Sequence, residues 1–149
     1  MDSKEKISID TIYSLLFAEA KKGNCLFRKY SAAIVKNSHV ISLGYAQTTN
    51  GKNCIKCERF DMIKKYGKIS EFFEYCSVVH AEISAILNVK NRDDLVGGDL
   101  YLLGIYDDDK VYDKAYPCKN CIKIIKYVGI KNIYVMQSNM QFIKYEVKK

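Results

Sequence analysis

Four side chains stand out for the chemistry they could do together: His80, Glu82, Cys118 and Cys121. One imidazole and two thiols are three N/S ligands for a zinc ion whose fourth corner stays open to water. A carboxylate that is not itself a ligand can then move that water's protons. Cys118 and Cys121 are three apart, which on a helix puts both sulfurs on one face, a turn apart. Pro117, the single proline of the chain, stands immediately before Cys118, and proline suits a first helical turn. The thiols are therefore expected at a helix N-terminus, where the dipole favours thiolate. His80 and Glu82 are two apart and share no face inside a helix. They converge only if the helix begins there, with the ion beyond its end. Cys-x-x-Cys alone also serves structural zinc or thiol redox chemistry, and His-x-Glu alone says little; the combination selects the catalytic reading.

Elements must hold these four in place. Ile9, Ile12, Tyr13, Leu16, Phe17 and Ala20 recur at helical spacing after a candidate cap, Ser8, and Gly23 ends that helix. Ser31 to Val35 and Val40 to Tyr45 read as a hairpin turning at 36–39, with His39 an exposed turn residue. Residues 47–76 read as an irregular, polar insertion carrying three cysteines. Ser77 to Lys90 is predicted as the helix bearing His80 and Glu82, with Ile83, Ile86 and Leu87 inward. Strands follow at Asp99 to Leu103 and Asn132 to Met136, on either side of a helix from about Pro117 to Val128. That helix turns Ile122, Ile125 and Val128 inward and Lys119, Lys123 and Lys126 outward, and Phe142 to Val147 supplies a weaker fifth strand. Asp107-Asp108-Asp109 reads as a solvated loop, since the spaced ligands and glycine of a calcium loop are missing. The pattern is three-layer α/β, expected as one domain over residues 1–149.

His80-x-Glu82 with Pro117-Cys118-x-x-Cys121 resembles the zinc signature of the cytidine deaminase superfamily. The likeness extends to Gly44-Tyr45, Val79 to Glu82, Leu100-Tyr101-Leu102 and Gly129-Ile130-Lys131-Asn132, nearly the whole chain. A histidine as first ligand, where plain cytidine deaminases use cysteine, resembles the deoxycytidylate (dCMP) deaminase-like branch, as do the insertion and Tyr75 to Val79. The resemblance implies an α/β/α fold with a central sheet of about five strands. It implies hydrolytic deamination of a cytosine nucleotide, foremost dCMP to dUMP and ammonia. Zinc would sit on His80, Cys118 and Cys121, with Glu82 as proton carrier and the Ala81 N–H donating to the base carbonyl. Two positions depart from the branch: Ala46 and Ser84 stand where asparagines usually serve sugar or phosphate recognition. Another amino-heterocycle or a modified cytidine nucleotide therefore stays open. Arg28 suits a phosphate contact or a plain surface role; Tyr116 and Tyr45 suit either the base pocket or packing.

Cys25, Cys54, Cys57 and Cys76 remain. Four thiols are the complement of one tetrahedral structural zinc, and Cys54-x-x-Cys57 has the matching spacing; the alternative is four free thiols. Some dCMP deaminase-like proteins hold a second metal at places similar to Cys25 and Cys54. The chain is 48% hydrophobic and 12% aromatic, which excludes a disordered segment. Neither the charged start Met1 to Lys6 nor any apolar run predicts a signal peptide or membrane span, so a cytoplasmic setting is expected. Net charge is +7, but it is scattered lysine with arginine only at 28, 59 and 92. The charge would suit an anionic partner, nucleotide or nucleic acid, but its scatter reads mostly as solvated surface; nucleic-acid binders usually cluster Arg and Lys with aromatics. A nucleic-acid-editing deaminase and a zinc-stabilised binding module that lost turnover are the rival classes; Glu82 argues against the second. The family resemblance also implies a homo-oligomer.

Overall fold

The structure, a computed structural model, describes residues 7–67 and 76–148. The expectations for Met1 to Lys6 and for residues 68–75 of the insertion, Tyr75 among them, lie outside those residues. Helix α1 runs Ile9–Ala20, and the Ser8 hydroxyl accepts from the Thr11 N–H as an N-cap. Strands β1 (Arg28–Lys36) and β2 (His39–Tyr45) form the hairpin, with Lys36 opposite His39. Its turn is therefore two residues, not four. Asn37 (φ 52°) and Ser38 (φ 64°) both take left-handed backbone, the geometry whose twist matches a hairpin.

The insertion is more ordered than its composition suggested. It opens with β3 (Gln47–Thr48) and carries a helix, α2 (Glu58–Tyr66). The expected helix from Ser77 to Lys90 is shorter: Val78–Val79 is a strand, β4, paired with β3, and α3 spans Ala81–Leu87. Two β-branched residues pair across the chain where local spacing had read helix. This small ladder, with the Thr49 N–H donating to the Ser77 carbonyl at 3.0 Å, stops the chain immediately before His80. Then come β5 (Asp99–Tyr106), α4 (Lys119–Tyr127), β6 (Asn132–Met136) and β7 (Phe142–Glu146).

The five long strands make one sheet in the order β2-β1-β5-β6-β7; β5 and β6 are parallel and the other neighbours antiparallel. Alternation along the strands feeds two cores. Ala33, Leu103, Ile105 and Met136 pack with Ile12, Leu16 and Ala20 of α1 on one face. Ala32, Ile34, Leu100, Leu102, Ile133 and Val135 pack with Ala81, Ala85, Cys121 and Ile125 of α3 and α4 on the other. This is the expected α/β/α arrangement. Gly44 permits the closest approach: a Cβ there would collide with the Ala85 backbone nitrogen and lie 2.8 Å from its Cα. Deeply buried apolar side chains at about 1.5–3 kcal/mol each make this sheet the rigid base of the site.

The inward face of α3 is the principal surprise. Ala81, Glu82, Ser84 and Ala85 are buried, whereas Leu87 is 74% exposed. Ile83 and Ile86 are only partly buried. A carboxylate and a hydroxyl thus take the places that apolar spacing had given to Ile and Leu. In α4 the expectation holds for Ile125, Val128 and the outward lysines, but Ile122 is half-buried.

Candidate metal centre and active site

His80 and Cys118 are the N-cap residues of α3 and α4, and neither side chain caps its own helix. Both are left to point at each other. Pro117 is thus not the first helical residue; it is buried just before the cap and sets the chain's entry into Cys118. His80 Nδ1 lies 3.3 Å from Cys121 Sγ and 3.6 Å from Cys118 Sγ. Zinc bonds of about 2.3 Å to sulfur and 2.0–2.1 Å to nitrogen, at tetrahedral angles, place such atoms about 3.5 Å apart. The donor set therefore fits zinc in kind and in separation. Among the described residues this trio is the group of His, Cys, Asp and Glu side chains close enough to hold an ion. Glu82 is not part of it, as a proton carrier that is no ligand requires.

The electrostatics suit the same assignment. Burial holds the His80 imidazole below its usual range, with the Arg59 charge adding to it, so the ring is neutral and able to ligate. Burial raises the Glu82 carboxyl, against the pull of its own backbone N–H and the Cys121 thiol. A carboxyl raised in this way exchanges protons nearer neutrality. The Cys121 thiol is also pushed up, by burial first and then by Glu82 and Cys118. Burial and its neighbours thus oppose the thiolate that a helix start favours. A divalent cation would supply the missing compensation.

The centre opens into a cavity of about 360 Å³, within the usual range for a small-molecule site. His80, Ala81, Glu82 and Cys118 line it, together with Arg28 and Tyr116, two residues the sequence singled out for substrate contact or packing. Tyr45 and Ser84 do not line it. The buried Ser84 hydroxyl instead accepts from the Gln47 amide at 3.2 Å, tying α3 to β3. Ala46 does line the cavity, an apolar patch where the family's asparagine would reach the ligand. Sequence reasoning missed Tyr30, Tyr112, Arg59 and Lys114, which complete the wall. Arg28 stacks over the Tyr112 ring at 4.4 Å and donates to the Tyr30 hydroxyl at 3.4 Å. Gly104 makes room for this: a Cβ there would meet the Tyr30 ring at 2.8 Å. Burial, opposed by Arg28, raises the Tyr30 phenol to about 12, so it stays a neutral donor.

Cys25, Cys57 and Cys76 line the same cavity, and Cys54 adjoins them through its N–H to the Asn24 carbonyl at 2.9 Å. Burial raises the Cys76 thiol, with smaller contributions from Cys25, Cys57 and Cys54, which lie near enough for Cys76 to feel them. They do not close to the tight separation of the His80 trio. The Cys57 sulfur accepts from the Phe60 N–H at 3.3 Å and caps α2.

Two helix starts meeting over one sheet around an imidazole and two sulfurs define the cytidine deaminase-like class of zinc hydrolases. The chain belongs to the cytidine and deoxycytidylate deaminase zinc-binding region family, whose model matches residues 7–137. A deoxycytidylate deaminase of Schizosaccharomyces pombe is 30% identical over 117 residues, 76% of this chain and 32% of that protein. The chain thus spans about a third of that relative's length. A deoxycytidylate deaminase of Mycobacterium phage D29 is 28% identical over 123 residues, 78% of this chain and 84% of that one. The dCMP deaminase of cyanophage S-TIM5, solved with dCMP and dUMP, shares the fold at a TM-score of 0.58 and 23% identity, covering 89% of this chain and 83% of that one.

Proposed function

We propose that the protein hydrolyses the amino group of a cytosine nucleotide, foremost dCMP to dUMP and ammonia. The observation that carries this is the His80–Cys118–Cys121 trio at zinc-like separations, with buried Glu82 beside it. Two deoxycytidylate deaminases among its relatives point the same way. Zinc bound by the trio would activate a water for attack on C4 of the ring. Glu82 would take one proton from that water and deliver it to the ring nitrogen, then carry the remaining proton of the new C4 hydroxyl to the amine as the C4–N bond breaks and the carbonyl forms. The Ala81 N–H would hold the base carbonyl, a role supported by Ala81 lining the cavity. The neutral Tyr30 and the aromatic Tyr112 and Tyr116 offer the base and sugar a half-apolar wall.

Ala46 in the wall favours a second reading, a cytosine nucleotide whose sugar differs from plain deoxyribose. Ammonia release from dCMP, CMP, cytidine, deoxycytidine, guanine, tRNA and single-stranded DNA distinguishes the readings. Preference for dCMP supports the first, preference for CMP the second, and activity confined to polynucleotide overturns both.

We extend the proposal to the remaining expectations. Cys25, Cys54, Cys57 and Cys76 hold a second, structural zinc by drawing together on it, which the mutual influence of their thiols supports. Metal analysis should then give about two zincs per chain; one removes this part. The domain is a single unit with its insertion at about 47–76. It assembles as a homo-oligomer, supported by the exposed Leu87 and Tyr127 on the helical layer and tested by its mass in solution. A reducing cytoplasm suits the six free thiols. Among the described residues no helix is long and apolar enough to cross a membrane.

A further inference from the structure

The loop between β5 and α4 supplies Tyr112, Lys114, Ala115 and Tyr116 to the cavity. Its first half is fastened to β5: the Tyr112 N–H donates to the Gly104 carbonyl at 2.8 Å, and Val111 bridges Ile105. Ala115 is buried in the core on the α4 face. Tyr116 is placed differently. It is 47% exposed and ends the loop immediately before Pro117 and Cys118. Its ring meets the edge of another, Tyr145, at 4.6 Å and an interplanar angle of 62°.

Tyr145 belongs to β7, the outermost strand of its side of the sheet. Four of the five residues of β7 are exposed, so the strand adds little to the core. Its register is nonetheless fixed. Tyr145 stands opposite the core residue Ile133, and the Val147 N–H donates to the Lys131 carbonyl at 2.9 Å. The turn between β6 and β7 supplies a second tie to the same loop. The Asp113 carboxylate accepts from the Ser138 N–H at 2.6 Å and from its hydroxyl at 3.1 Å. One exposed hairpin thus reaches the cavity loop at two points, on either side of Lys114.

We infer that Tyr145 is a positioning residue, whose ring fixes Tyr116 in the cavity wall so that the edge strand β7 governs how tightly substrate is held. This rests on the deaminase reading of the site. A half-exposed aromatic side chain is free to turn unless something meets its ring. An edge-to-face contact restricts it beforehand, and the ligand is spared the cost of ordering it. Tyr145 does not itself line the cavity, so its effect travels through Tyr116.

The test is KM and kcat for whichever of dCMP and CMP the wild-type protein turns over faster. The variants are Tyr145→Ala, Tyr145→Phe, Tyr116→Ala and the double variant Tyr116→Ala/Tyr145→Ala. Loss of an edge-to-face contact supports a rise in KM of about 3- to 10-fold in Tyr145→Ala, with kcat held within about twofold. Tyr145→Phe keeps the ring and should hold KM near the wild-type value. Tyr116→Ala should raise KM at least as far as Tyr145→Ala, and the double variant should be no worse than Tyr116→Ala. Zinc content and circular dichroism check that each variant is folded and loaded. An unchanged KM in Tyr145→Ala, a Phe variant as impaired as the Ala one, or additive losses in the double variant overturns the inference while leaving the deaminase intact. A fall in kcat that follows a loss of zinc shows a merely structural role and also overturns it. Wild-type protein inert toward both nucleotides removes the deaminase reading and this inference together.

Discussion

The cavity has two sides built on different principles. One is the pair of helix starts at His80 and Cys118, seated on a sheet whose central side chains are fully buried. The other is helix α2 of the insertion, none of whose residues is buried and which meets the body of the domain through the Phe60–Phe27 contact and the neighbouring Asn24–Asn53 hydrogen bond. On the proposed function, chemistry that needs placement within a fraction of an ångström lies on the first, and the second carries Arg59 at the edge of the cavity. The side with the reacting groups is costly to alter anywhere. The other is free to change its ligand preference without endangering the fold.

That contrast can be tested, beginning with the largest effect. Glu82→Ala should retain zinc and fold but lose about 10³-fold or more in turnover, read by ammonia release; a rate near wild type removes its role. Cys121→Ser should drop bound zinc by about one per chain, measured by metal analysis, because a buried hydroxyl is a poor replacement for sulfur. Gly44→Ala should destabilise by about 2–4 kcal/mol in urea, since the Ala85 backbone cannot yield. Tyr30 should make stability fall from about pH 10. Its folded pKa of about 12 exceeds the ordinary 10, so its contribution is complete below pH 10 and lost as pH rises through 12. Tyr30→Phe should flatten that alkaline limb by on the order of 2 kcal/mol. Smallest of all, Phe60→Ala should cost under about 1 kcal/mol of stability, its ring being 43% exposed. A large loss there would show that α2 is part of the core after all, and the contrast would collapse.

The legibility of the two sides differs in the same way. His80, Glu82, Cys118 and Cys121 were readable because ligand chemistry restricts both residue type and spacing, and because their helices had to start there. Ser8 and the long strands were readable from capping and alternation. Helix α2 was not, because its few apolar residues, Phe60, Met62, Ile63 and Tyr66, sit in a polar run and its cap is Cys57, outside the usual Ser, Thr, Asp and Asn. A signal existed in Glu58 and Asp61 near its start, Lys64 and Lys65 at its end, and Gly67 in left-handed backbone beyond. The β3–β4 ladder was hidden for another reason: pairing across thirty residues leaves no trace in local periodicity. The inward turn of Glu82 and Ser84 ran against the apolar rule: the carboxylate lies beside the Cys121 thiol, and the hydroxyl accepts from Gln47.

Helices α1 and α2 begin with a side chain that accepts from their own first turn, Ser8 and Cys57, and the short 3₁₀ turn at Arg92–Leu95 does the same through Asn91. His80 and Cys118 give up that service to face the ion. Chelation should therefore loosen the molecule unevenly. Amide protons of 81–83 and 119–121 should trade with deuterium first, while the middle of β5 stays closed, so that isotope uptake maps the ion's grip residue by residue.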